Sequence, residues 1–151
     1  MATFAVQRSG TAAPTDEWTR EMTNQAIAPV TDPLTMTETY VRGSNAGDID
    51  GVLSLYADGA ISVWEPGNPV SDALHDEVVR AHLERNPDMK ATVRESYVTG
   101  DTALLVVDWT IDIPAGGGQP AESHQGIGLD VLRKGEDGRW RYVIDNPFGE
   151  A

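Results

Sequence analysis

The stretch from Tyr40 to Gly67, YVRGSNAGDIDGVLSLYADGAISVWEPG, constrains the fold more than any other part of the chain. Asn45-Ala46-Gly47 is a helix stop, because Gly and Asn tolerate the left-handed residue that follows a helix C-terminus. Asp48 stands where a helix N-cap belongs. Ile49, Val52, Leu53 and Tyr56 follow with helical spacing, and Asp58-Gly59 ends that segment. Ala60 to Trp64 alternates apolar and small residues as a short strand does, and Glu65-Pro66-Gly67 breaks it. Two short helices feeding a strand predict Tyr40, Trp64 and Glu65 near the mouth of one cavity.

The remaining elements follow from the same kinds of signal. Residues 1–31 read as an N-terminal arm of small and polar residues, with a short helix over Asp16 to Ala28. Asp32-Pro33 starts the helix that carries Leu34, Met36, Tyr40 and Val41. Ser71 to Asn86 reads as a third helix, ended by Pro87; His75 and His82 lie on it two turns apart. At roughly 10 Å they cannot share one metal ion, and two partly buried or flanking histidines are the plainer expectation. Lys90 to Thr99, Thr102 to Ile113, Ser123 to Lys134 and Arg139 to Asp145 read as strands, the first pair joined by the hairpin turn Gly100-Asp101. Helices first and antiparallel strands afterwards predict an α+β domain, with a strongly bent sheet wrapped round helices as a cone. Val107, Trp109 and Ile111 share one face of their strand. Exposed there, so apolar a surface predicts a homodimer.

Composition narrows the partners. A chain of 151 residues fits one domain with its own core. Its formal net charge of −13 argues against nucleic acid and anionic membrane, which are bound by clustered Lys and Arg. Without cysteine there is no disulfide frame, no thiol chemistry and no Cys-ligated metal site. No apolar run reaches the length of a membrane span, and the N-terminus does not read as a secretion signal. A cytoplasmic protein is expected.

No phosphate-binding glycine loop, HExxH, EF-hand or G-x-S-x-G elbow is present. What remains is acidic residues inside apolar strands: Asp108 in LLVVDW, Asp130 in GIGLDVL and Asp145 in YVID. A carboxylate in a strand core costs several kcal/mol unless it is paired, protonated or facing a wet cavity. Each therefore either faces solvent on a half-exposed sheet or marks a polar pocket.

YVRGSNAGDIDGVLSLYADGAISVWEP resembles the opening of the ketosteroid isomerase and SnoaL-like branch of the nuclear transport factor 2-like (NTF2-like) superfamily. GLDVLRKGEDGRWRYVIDNPFG resembles that family's final hairpin. The resemblance implies a cone-shaped NTF2-like (cystatin-like) α+β fold over residues 32–149, with a central pocket and no cofactor. It implies that Tyr40 and a protonated Asp130 donate hydrogen bonds to a substrate oxygen, and that Glu65, which precedes Pro66, is the base. One extra residue lies before that Pro, so either a bulge brings Glu65 to the pocket or Trp64 takes its place. The same alignment points Asp108 and Asp145 into the pocket, with His124 on the strand face of Asp130. So polar a cavity is closer to SnoaL-like cyclases than to a steroid site. Tyr56, Trp64 and Trp109 are candidate pocket walls or ordinary core aromatics.

The leading expectation is a cofactor-independent isomerase or cyclase for a cyclic or polyketide-like small molecule, with Asp145 or Glu65 as base. An epoxide hydrolase would need an arginine bridging carboxylates, with Arg94 and Arg133 as candidates. A non-catalytic binding module and an oligomerisation domain are the other classes, because one fold hosts many functions.

Overall fold

In the computed structural model, residues 27–149 are described; of the arm expected over residues 1–31 and its helix over Asp16 to Ala28, residues 1–26 lie outside them. A turn of 3-10 helix, Pro33–Thr35, is capped by the Asp32 carboxylate, which accepts from the Leu34 N–H at 3.0 Å. It leads into α1 (Met36–Asn45). Asp48 caps α2 (Ile49–Leu53), accepting from the Gly51 N–H at 3.0 Å. The chain then enters β1 (Tyr56–Glu65), β2 (Asn68–Ser71), α3 (Asp72–Leu83), β3 (Asp88–Thr99), β4 (Thr102–Ile113), β5 (Glu122–Lys134) and β6 (Trp140–Asn146).

The six strands form one curved, unclosed sheet in the order β2-β1-β6-β5-β4-β3. All pairs are antiparallel except β1 with β6, which is parallel. The expected wholly antiparallel sheet is thus corrected at one seam. Tyr56 joins the strand rather than the helix before it, because β1 must extend to pair Tyr56 with Tyr142. The short β2 carries Pro69 at the sheet edge, where a missing N–H is tolerated.

Helices cover the concave face. On α3 the buried stripe is His75, Val79 and Leu83, at intervals of four, while Leu74 is 53% exposed. Met36 of α1 and Val52 of α2 meet Leu105 and Leu132 of the sheet in the same core. Packing also reaches ahead of the expected boundary at residue 32: Val30 is buried, and its carbonyl accepts from the Trp140 N–H at 2.7 Å.

Strand phase decides which side chains reach the interior. Along β4, Leu105, Val107 and Trp109 are buried, so they face inward and Asp108 faces outward. The expectation of an exposed Val107-Trp109-Ile111 face, and of Asp108 in the pocket, is therefore reversed. Both faces of this strand are apolar, so alternation alone does not tell them apart. Outside, a bulge in β3 at Arg94 brings its guanidinium onto the Asp108 carboxylate with two hydrogen bonds of 3.0 and 2.7 Å. Since this ion pair is half exposed, Asp108→Asn is expected to cost at most about 1 kcal/mol in urea unfolding. Leu105→Ala, in the core, is expected to cost about 2–5 kcal/mol. A loss above about 2 kcal/mol for Asp108→Asn would contradict the outward assignment.

Candidate active site

The site is built around a pair of carboxyl groups on neighbouring strands. Asp130 of β5 stands directly opposite Leu105 of β4 on one side and Asp145 of β6 on the other. Leu105 is fully buried, so all three share the interior face. Asp145 reaches that face because of a bulge. Leu132 pairs with Tyr142 but Val131 pairs with Ile144, which leaves Val143 as an extra residue. A regular strand would turn Asp145 outward if Tyr142 faced in; the bulge lets both face in.

Tyrosines close over the pair. Tyr56 donates from its hydroxyl to Asp145 Oδ2 at 2.5 Å, and its oxygen lies 3.4 Å from the Tyr40 hydroxyl. Tyr56 has one proton and donates it to Asp145, so the Tyr40 hydroxyl has its own proton to give, either across the long 3.4 Å contact to the Tyr56 oxygen or to a ligand oxygen. Tyr40 and Tyr142 meet edge to face at 5.7 Å. Behind Tyr56, the buried His75 ring packs edge-on at 4.3 Å.

Tyr40, Tyr142 and the two carboxyls line a partly open cavity of about 60 Å³, whose remaining walls are mostly apolar. Trp109 forms one wall. Its indole N–H donates to the Pro147 carbonyl at 2.8 Å, and its ring lies over Gly126, where a Cβ would come within 2.8 Å of it. Trp64 forms another. Ala60 and Ser62 are buried in β1, and Trp64 continues that inward phase. Beside it, sharing Trp64, His82 and Trp109 as walls, lies a second space of about 310 Å³ lined also by Arg85, Glu122, His124 and Phe148.

Burial sets the protonation states. Asp130 is pushed well above its ordinary value of 3.8, first by burial and then by the negative charge of Asp145. The backbone N–H of Asn146 donates to Asp130 Oδ1 at 3.3 Å, leaving the other oxygen to carry the proton. Asp145 is also raised by burial, but hydrogen bonds from Tyr56 and Asp130 pull it back. The pair thus holds one proton: Asp130 is the neutral donor and Asp145 the anion. Burial raises Tyr40 as well, so it remains a phenol.

Of the sequence candidates, Tyr40, Trp64, Asp130 and Asp145 come together in this cavity. Tyr56 belongs to the hydrogen-bond network behind it, rather than to a wall. His124 lines the outer space, where its Nε2 lies 2.8 Å from Glu122 Oε1. Glu65 is exposed at the end of β1 and is not brought to the cavity; Trp64 takes the position. Asp108 is held outside by Arg94. Neither Arg94 nor Arg133 lines the cavity, so neither bridges its carboxyls. Tyr142 and His82 are among the lining residues that escaped selection from sequence. Tyr142 shares the inward phase of Trp140, and His82 lies one residue before Leu83, which closes the buried helical stripe. Among the described residues no cluster of His, Cys, Asp or Glu could hold a metal ion, and no helix is long and apolar enough to cross a membrane.

A proton held by Asp130 in the folded state but released in the unfolded chain gives a definite pH dependence. From about pH 4 upward the folded state binds more protons than the unfolded one, so stability falls as pH rises and levels off above the folded pKa. Asp130→Asn removes that penalty. Melting temperatures from about pH 4 to 8 are expected to show the variant gaining steadily on the wild type. Parallel profiles would place an ordinary, ionised carboxylate at this position.

A sequence profile described as SnoaL-like domain matches residues 37–143. No curated protein matches the chain. Solved structures do. A ketosteroid isomerase-like protein from Erwinia carotovora atroseptica is 21% identical, with a TM-score of 0.63, over 74% of this chain and 88% of its own. An NTF-2 like protein of unknown function from Shewanella oneidensis is 18% identical, with a TM-score of 0.57, over 88% and 97%. The association domain of C. elegans CaMKII is 16% identical, with a TM-score of 0.54, over 88% and 97%. At these identities the likeness is one of fold. With the profile covering most of the sequence, the chain belongs to the SnoaL-like domain family, and its fold is like that of the NTF-2 like structure.

Proposed function

We propose that this protein is an acid/base isomerase or cyclase that works with its own side chains on a cyclic or polyketide-like small molecule. The observation that carries the reading is the proton-sharing pair Asp130 and Asp145, set beside the Tyr40 hydroxyl in a mostly apolar cavity. Two carboxyls held in different protonation states supply a donor and an acceptor at one place. Ketosteroid isomerase works by the same logic, with one carboxylic acid kept neutral as a donor and another acting as base. A solved relative bearing that name lends the reading support.

In an allylic isomerisation Asp145 takes a proton from the carbon beside a carbonyl. The C–H electron pair becomes the C=C bond of a dienolate, whose oxygen takes up the negative charge. Tyr40 and Asp130 donate hydrogen bonds to that oxygen. Asp145 then returns the proton to the far end of the dienolate, which restores the carbonyl, leaves a conjugated double bond and regenerates the carboxylate. The mostly apolar walls exclude water, which strengthens each of these interactions.

The domain proposed is residues 32–149, joined in its core by Ile27 and Val30. A homodimer remains our reading, on the convex face rather than the one first expected. There Tyr97, Leu104, Val131 and Ile144 fall in one cross-strand row, and Tyr97 is 58% exposed. The CaMKII association domain offers a precedent on this fold. Sedimentation at micromolar concentration is expected to give twice the monomer mass, and Tyr97→Glu to halve it.

Catalysis is tested with a panel of cyclic β,γ-unsaturated ketones, whose conjugation is read by ultraviolet absorbance. Asp145→Asn is expected to lower kcat by about 10²–10⁴-fold, the range for a positioned base. Tyr40→Phe is expected to lower it by about 10²–10³-fold, the cost of one oxyanion donor. Glu65→Gln leaves it unchanged. Turnover that survives Asp145→Asn, or that is lost in Glu65→Gln, would overturn the assignment.

A further inference from the structure

The outer end of the cavity carries polar groups that the carboxyl pair does not use. His82 lines both the deep cavity and the outer space. Its position on α3, beside the buried Leu83, turns it toward the sheet, and its ring packs on the Trp64 indole with centroids 4.9 Å apart. Among the described residues no hydrogen bond engages either ring nitrogen of His82. The Trp64 Nε1 is buried and has no partner either. A buried N–H without an acceptor is costly, so the Trp64 indole lacks what a ligand would provide, and the His82 ring beside it leaves two ring nitrogens open to the same ligand.

The surrounding charges are already occupied with one another. Arg85 Nη1 donates to Glu122 Oε2 at 2.7 Å, and Glu122 Oε1 lies 2.8 Å from His124 Nε2. Burial, followed by the nearby Arg85 and His124, lowers His82 to about 4, so its imidazole is uncharged near neutral pH. A neutral imidazole has one acceptor nitrogen and one N–H, and the Trp64 indole adds a second N–H. A hydroxyl complements that set, since it donates to the imidazole and accepts from the indole. An anion would meet Glu122 here and Asp145 at the deep end, with Arg85 already engaged. A cation would find, among the described residues, no free carboxylate lining the space beside His82.

We propose that the site takes a small, uncharged ring compound with oxygen functions at two opposite ends, one bound by Tyr40 and Asp130 and the other a hydroxyl bound by His82 and Trp64. The proposal rests on the acid/base reading for its deep end. It makes His82 and Trp64 the specificity-determining residues of the outer end, with Trp109 and Ile111 as the apolar walls between.

Calorimetric titration with three pairs of phenols tests it: phenol and hydroquinone, 2-naphthol and 2,6-dihydroxynaphthalene, 4-phenylphenol and 4,4′-dihydroxybiphenyl. In the pair whose length suits the cavity, the diol is expected to bind about tenfold tighter than its mono-ol. His82→Leu brings that ratio to near one, and His82→Gln, which keeps a donor and an acceptor, preserves part of it. Trp64→Phe removes only the N–H and ring width, and also reduces the ratio. Tyr40→Phe weakens both members alike and leaves the ratio in place. Equal binding of mono-ol and diol in all three pairs, with Tyr40→Phe still weakening both, overturns the outer-end proposal and leaves the deep-end reading standing. A diol preference that survives both His82→Leu and Trp64→Phe overturns the assigned residues. If no phenol binds at all, both readings fall.

Discussion

Two carboxyl groups placed opposite each other on neighbouring strands, in a space too dry for both to ionise, govern the rest of this structure. Water would let Asp130 and Asp145 ionise independently. Here burial and mutual repulsion make them share a proton, and every nearby group follows from that. The Tyr56 hydroxyl commits its proton to the anion. The Asn146 N–H occupies one oxygen of the neutral partner. Tyr40, held only by a long 3.4 Å contact to the Tyr56 oxygen, becomes the group able to meet a ligand. The helices matter because they keep this space dry: α1 brings Tyr40, and α3 brings His75 behind Tyr56.

The backbone holds the pair in place through irregularities rather than regular pleating. The extra residue at Val143 turns Asp145 inward beside Tyr142. The register shift in β1 between Ser62 and Glu65 falls where Trp64 takes the inward position. Gly126 and Gly128, on the face shared with Asp130, leave room for the Trp109 ring and for the chain at Asn146 and Pro147. A strictly alternating sheet of the same length would lose either the second carboxyl or the tryptophan wall.

That contrast explains what was legible in the sequence. Helix caps at Asp32 and Asp48 act locally, and both lie where the sequence puts them. The strands β3 to β6 are bounded by Gly and Pro turns and fall within two residues of their expected limits. Tyr40 and Asp130 were legible through a family pattern, and the cavity contains both. Face assignment was not legible on β4, because LLVVDW is apolar on both sides. Only packing against α1 and α3 distinguishes Asp108 from Trp109. Nor was the parallel seam of β1 with β6, since a pairing between strands so far apart in the chain leaves no local mark. His82 carries no signal of its own; its meaning comes from Trp64, which reaches it from another element.

The energetics favour chemistry over simple ligand holding. A cavity that merely retains a neutral ring compound needs shape, apolar walls and one or two hydrogen bonds, all available from Trp, Tyr and Thr at little electrostatic cost. Burying two carboxyls side by side works against folding at every pH above the unfolded value of the protonated one. Asparagine at either position would remove that cost and still give a donor. A carboxyl pair adds what an amide lacks, the capacity to accept and return a proton while its partner donates to the developing charge. The tyrosines sharpen the distinction. Tyr56 steadies the anion without protonating it, because burial and the charge of Asp145 hold its own pKa far above neutrality. The arrangement therefore stores one proton at a fixed place beside one base, against mostly apolar walls, and sets apart at the outer end a neutral imidazole and a buried indole N–H that has no partner among the described residues.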